Sequence, residues 1–217
     1  MTAAATTADE PAVARTGSAR AAGVAAVALG VGWGVATSAL QTVLPAPFGA
    51  LANAVAPWLM APFVVGRLSP GPRTAAAFGL LACLLQVLAY YVTSDLRGFA
   101  VGGAFVLVWS AAAAVGGPVF GLAGRLHGHA RGRLRGAPPA LVAGVWAAEG
   151  VATYAIVLEY TGEAVLFCVV GLVLFVALAR GGRLLPALAW LAVVLPLGIG
   201  GFLLLQTVLG GGLPAGR

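Results

Sequence analysis

Glu149 lies near the middle of a long apolar run, Leu141 to Leu158, and is the one acidic residue set deep in any hydrophobic stretch of the chain. A charged side chain at the centre of a bilayer costs roughly 2.5–3.5 kcal/mol on insertion scales. A group that expensive needs a partner, a ligand or a proton to handle. Helical spacing gives it company, with Thr153 at i+4, Trp146 at i−3 and Tyr160 almost three turns further on. Cys83, Gln86, Tyr90 and Thr93 make a comparable stripe on a second run, and Trp33, Thr37 and Gln41 on a third. Polar and aromatic stripes on several helices can converge on a pocket between them. The candidate ligand-binding set is therefore Glu149, Gln86, Asn53, Trp146, Thr153, Tyr90 and Gln41. The competing role for Gln and Thr is plain cross-linking of membrane helices, at roughly 0.6 kcal/mol each.

Catalytic chemistry is poorly provided for. No HExxH, GxSxG, DxD or GxxxxGK[ST] pattern occurs. A single Glu with no neighbouring His, Lys or second acid makes a poor acid–base site. His127-Gly128-His129 offers two nitrogen donors where a metal needs three or four, and reads as a solvated Arg-rich loop. Cys83 and Cys168 sit inside apolar runs without CxxC spacing, as small buried hydrophobes do. The expectation is a protein that is not an enzyme, with no cofactor and no metal. An intramembrane lipid-modifying enzyme would lack its catalytic group here.

The elements that must position these residues follow from composition. The chain has 217 residues, 61% hydrophobic and 8% charged, with a mean hydropathy of +1.01. Soluble domains are about 25% charged, so this composition belongs in a bilayer, where helices are the economical spanning form. The fold class expected is an all-α polytopic membrane bundle. Seven apolar segments are visible, at about 20–44, 48–66, 74–94, 99–124, 138–159, 163–179 and 184–209. The second is the weakest, because Pro57 and Pro62 interrupt its hydrogen-bond ladder. Such prolines survive in membranes when neighbours satisfy the freed carbonyls. Residues 1–19 read as a disordered cytoplasmic tail, 20–209 as the seven-helix domain and 210–217 as a short C-terminal tail.

The net charge of +6 is carried by Arg without Lys, and the arginines fall between apolar runs. That placement orients a membrane protein and does not mark a nucleic-acid binder. With the N-terminus cytoplasmic, Arg15, Arg20, Arg67, Arg73, Arg125, Arg131, Arg133, Arg135, Arg180 and Arg183 lie inside. Only Arg97 and Arg217 lie outside, with Asp95, Glu159 and Glu163. This predicts seven helices, N-terminus in and C-terminus out. The first run is longer than the ~7–15 residues of a signal-peptide core, so it reads as a retained span. Gln41, Gln86, Asn53, Glu149 and Gln206 then gather in the outer half. Two faces of small residues are suited to close helix contact: Ala22, Ala26, Gly30 and Gly34 in the first segment, and Gly117 and Gly121 in the fourth.

Several strings resemble an uncharacterised family of small multi-pass membrane proteins of high-GC bacteria. They are Leu40-Gln41 with Pro45 and Pro47, Ala52-Asn53 with Ala56-Pro57-Trp58 and Pro62-Phe63, Gln86 with Tyr90-Tyr91, and Gly116-Gly117-Pro118-Val119-Phe120-Gly121. The likeness covers roughly residues 21–207 and implies no activity. Ala22 and Ala26 also resemble the small-residue docking face on the first helix of the substrate-capture components of energy-coupling vitamin transporters. Those proteins typically have six helices and hold a ligand toward the outer leaflet.

The function expected is binding or transport of a small molecule at a polar site in the outer half of the bundle, in a plasma membrane. The alternative is a non-catalytic scaffold or regulatory subunit for a partner membrane protein. The partners expected are the lipid bilayer and a small-molecule ligand or, on the alternative, such a membrane subunit, and no nucleic acid.

Overall fold

The computed structural model describes residues 18–211. The tails expected at 1–19 and 210–217 lie almost wholly outside the described residues. All regular structure among the described residues is helical. Helix α1 runs Ala19–Leu40, begun by the Ser18 hydroxyl accepting from the Ala21 N–H. Then come three short pieces, α2 (Ala50–Asn53), α3 (Val55–Trp58) and α4 (Met60–Leu68). Helices α5 (Pro72–Leu96) and α6 (Gly103–His129) follow. A 3-10 turn, Gly132–Gly136, leads into α7 (Ala137–Glu149), which continues as a π-helical stretch, Gly150–Val157. Helices α8 (Thr161–Leu178) and α9 (Leu184–Gly211) complete the bundle.

Six helical stretches are long and apolar enough to cross a membrane: α1, α5, α6, the 3-10 turn with α7 and the π stretch, α8 and α9. The second expected segment differs. Its continuous part, Val55–Leu68, is a shorter apolar helix. At ~1.5 Å per residue it reaches about 21 Å, short of the ~30 Å hydrocarbon core. The physical reason is Ala54, whose extended backbone (φ −106°, ψ 155°) breaks the helix ahead of Pro57.

Packing fixes the directions. Along α1, Gly23 meets Phe78, Gly30 meets Ala82, and Gly34 meets Gln86 and Tyr90, so α1 and α5 run parallel. Residues 41–71 therefore return across the thickness of the bundle. Helix α6 runs against α5, with Gly117 on Gly79 and Gly121 on Ala75. It runs with α4, where Gly66 faces Gly121. Helices α7 and α9 are parallel, with Gly144 on Val194 and Gly198 on Ala148, and α8 is antiparallel to α7. A Cβ at Gly117 would stand 2.7 Å from the Gly79 carbonyl oxygen, so only glycine allows this approach. The small-residue face of α1 is likewise covered from within, with Ala22, Ala26, Gly30 and Gly34 all buried against the bundle.

The main core joins α3, α4, α5, α6, α7 and α8 through Leu59, Phe63, Val87, Phe120, Val142, Trp146 and Phe167. Arg67, Arg125, Arg131, Arg133, Arg135, Arg180 and Arg183 collect at one end. There Arg67 donates to His127 Nδ1 at 2.6 Å, and His127 Nε2 faces the Leu178 carbonyl at 3.3 Å. His127 is thus half-buried in the last turn of α6, tying α4 to α8, and not part of a solvated loop. Among the described residues the opposite end holds one arginine, Arg97, bonded to Ser38 and Thr42.

Candidate functional site

The break before α3 exposes backbone donors that no preceding turn can satisfy. Pro57, third in the new helix, has no N–H to satisfy. Glu149 takes the two before it: Val55 N–H donates to Oε1 at 2.8 Å and Ala56 N–H to Oε2 at 2.7 Å. The carboxylate is 3% exposed, so α7 supplies a cap to α3 from across the core. Pro62 creates a second gap, because its missing N–H would have bonded the Trp58 carbonyl one turn back. Gln86 Nε2 from α5 fills it, donating to Trp58 O at 3.2 Å. The two most deeply buried polar side chains of the expected set thus hold one broken segment between α5 and α7.

The wall so held borders a cavity of about 350 Å³ at the Arg-poor end. Asn53 and Trp58 line it from the broken segment, Tyr90 and Tyr91 from α5, and Phe105 and Trp109 from α6. Trp58 and Tyr90 pack edge to face at 5.7 Å between centroids, and Tyr90 and Tyr91 at 5.0 Å. Tyr90 is braced by its hydroxyl, which donates to Gln41 Oε1 at 3.1 Å. The lining carries no charged side chain.

Of the expected site residues, Asn53 and Tyr90 line this cavity and Gln41 stands behind it. Glu149 and Gln86 lie behind its wall. Trp146 packs on Phe167 at 5.1 Å, and Thr153 accepts from Gln206 Nε2 at 3.3 Å, so both belong to the α7–α8–α9 side. Trp58, Tyr91, Phe105 and Trp109 were not in the expected set. Phe105 and Trp109 stand at i,i+4 and continue to Ala113, a helical stripe that could have revealed them. Buried near the broken segment, Gln86 Oε1, Trp58 Nε1 and Trp146 Nε1 have no hydrogen-bond partner among the described residues. Such orphaned groups cost about 1–3 kcal/mol each and are uncommon in a finished core.

Long apolar helices, internally satisfied backbone breaks and glycine-mediated helix contacts together define a multi-pass helical membrane protein. Residues 13–211 match a family of unknown function, DUF6518, and the chain belongs to that family. No curated protein and no solved structure matches it.

Proposed function

We propose that the chain is a non-enzymatic protein of the plasma membrane that binds, and in a transport cycle moves, a small, largely apolar molecule. The ligand sits in the aromatic cavity in the outer half of the bundle. The observation that carries this reading is the cavity itself, five aromatic rings around about 350 Å³ with no charged group in the lining. Ring faces and edges recognise flat or apolar ligands, with about 0.5–1.5 kcal/mol per aromatic pair beyond burial. Asn53 supplies a polar contact for orientation. The topology is seven crossings with the N-terminus inside. It is supported by the parallel course of α1 and α5 and by the collection of arginines at the inner end. Glu149 and Gln86 act on the ligand indirectly, by fixing the wall that carries Asn53 and Trp58.

The scaffold alternative rests on the small-residue faces of α1 and α6. Both are occupied by helix contacts within the chain, so no observation favours it.

Native mass spectrometry of the gently extracted full chain tests the reading, with wild type beside Trp109→Ala. A small-molecule adduct is expected on the wild type and at least tenfold less on the variant. Bare masses for both, or equal adducts on both, would sink it.

A further inference from the structure

A second concavity lies at the opposite, Arg-rich end, where the 3-10 turn Gly132–Gly136 meets the start of α9. It encloses about 600 Å³ and is lined by Arg133, Arg135, Pro186, Ala189, Trp190 and Val193. Trp190 is fixed there by donating from Nε1 to the Arg133 carbonyl at 3.1 Å. Arg133 and Arg135 are exposed. Among the described residues no carboxylate is available to them, since Asp95, Glu159 and Glu163 lie at the other end and Glu149 is held in the core. Two guanidiniums on one short turn therefore face outward with no carboxylate beside them among the described residues. The chemistry they favour is a phosphate, which a guanidinium can bind through two parallel hydrogen bonds.

The rest of the groove says what carries that phosphate. Below the arginines the lining turns apolar, through Pro186, Ala189 and Val193. It runs onto the outward face of α9, where Leu185, Val193 and Leu197 are 79%, 52% and 71% exposed. Tryptophan is favoured at the depth where headgroup meets hydrocarbon. We infer that this groove is a binding site for one anionic phospholipid, its phosphodiester on Arg133 and Arg135 and its acyl chains along α9. A zwitterionic lipid would bring its own cation toward Arg131 and its neighbours and is disfavoured. A free phosphate would leave the apolar half of the groove unused.

The test is native mass spectrometry of the full chain in detergent, titrated with dioleoyl-phosphatidylglycerol, dioleoyl-phosphatidylcholine or inorganic phosphate. One phosphatidylglycerol should be retained at least tenfold more tightly than phosphatidylcholine, and millimolar inorganic phosphate should not displace it. Arg133→Gln/Arg135→Gln should reduce that retention at least tenfold. Arg20→Gln/Arg73→Gln removes equal charge from the same end and should leave it intact. Ala189→Trp, which fills the groove without altering charge, should also abolish retention, and it decides the matter if the double-Gln variant fails to fold. Equal retention of the two lipids, equal loss in both charge variants, or displacement by inorganic phosphate would overturn the site.

Discussion

Glu149→Gln keeps the shape of the side chain but exchanges one acceptor for a donor, which would then face the N–H of Val55 or Ala56. One buried backbone donor loses its partner, at about 1–3 kcal/mol. Glu149→Ala removes both acceptors and should cost more, in the same sense. Thermal unfolding in detergent should rank the three as wild type, Gln, Ala, with clear gaps. A Gln variant as stable as wild type would mean that the contacts to Val55 and Ala56 carry no weight. This ordering also separates wall from ligand contact: loss of ligand in Glu149→Gln should track loss of stability, whereas Trp109→Ala, which gives up packing on the main core as well, should lose far more ligand than its own loss of stability accounts for. The cost of burying Glu149 was legible in the sequence, because an acid in a long apolar run must be answered by something. Its partners were not. They are backbone amides more than ninety residues away, and side-chain spacing along one helix cannot announce a backbone donor on another.

The broken segment shows the same coupling between elements. Pro57 and Pro62 marked it as the weak span, and the need for neighbours to satisfy the freed carbonyl followed from chemistry alone. The structure supplies the neighbour as Gln86. A double-mutant cycle can measure this. Gln86→Leu should destabilise by about 1–3 kcal/mol, since Trp58 O is left buried without a donor. In Gln86→Leu/Pro62→Ala the alanine N–H can reclaim that carbonyl, so part of the loss should return, with a coupling of about 0.5–3 kcal/mol. Strict additivity would show that Gln86 does not serve the proline gap. The seam between α5 and α6 permits a sharper contrast. A side chain at Gly121 would collide with the Ala75 carbonyl, and backbone cannot step aside cheaply. Gly121→Val should therefore prevent a folded bundle, whereas Gly32→Ala, with nothing within 4 Å, should be neutral or better by up to about 1 kcal/mol. Equal tolerance at both positions, read by size-exclusion profile and unfolding temperature, would contradict the packing. The small-residue pattern was visible beforehand, but whether it faced a partner or the chain itself depends on tertiary contacts that no local pattern encodes.

At the scale of the whole molecule, hydropathy alone left the number of crossings hanging on its least convincing segment, and helix length alone argues against it. The direction of packing argues for it. Because α1 and α5 are parallel, with Gly23 by Phe78 at one end and Ser38 bonded to Ser94 at 2.9 Å at the other, the chain between them must cross back. On the proposed topology, a segment too short to span as one regular helix would do this as α2, α3 and α4 in series, with the extended Ala54 between the first two. Inside the bundle, Glu149 and Gln86 satisfy the polar backbone that lipid could not. The consequence can be tested with single cysteines introduced after Cys83→Ala and Cys168→Ala. A cysteine at Gly98 follows α5, and one at Arg131 precedes α7, one crossing later. One at Pro72, exposed at the start of α5, follows α4, and one at Pro45, also exposed, precedes the broken segment. In intact cells a membrane-impermeant maleimide should label positions 45 and 98 and spare 72 and 131, the latter two reacting only after the membrane is opened. A buried re-entrant loop in place of the broken crossing would put 45 and 72 on one side. Labelling of both from the same face would therefore leave six crossings and remove the outer-half placement of the aromatic cavity with it.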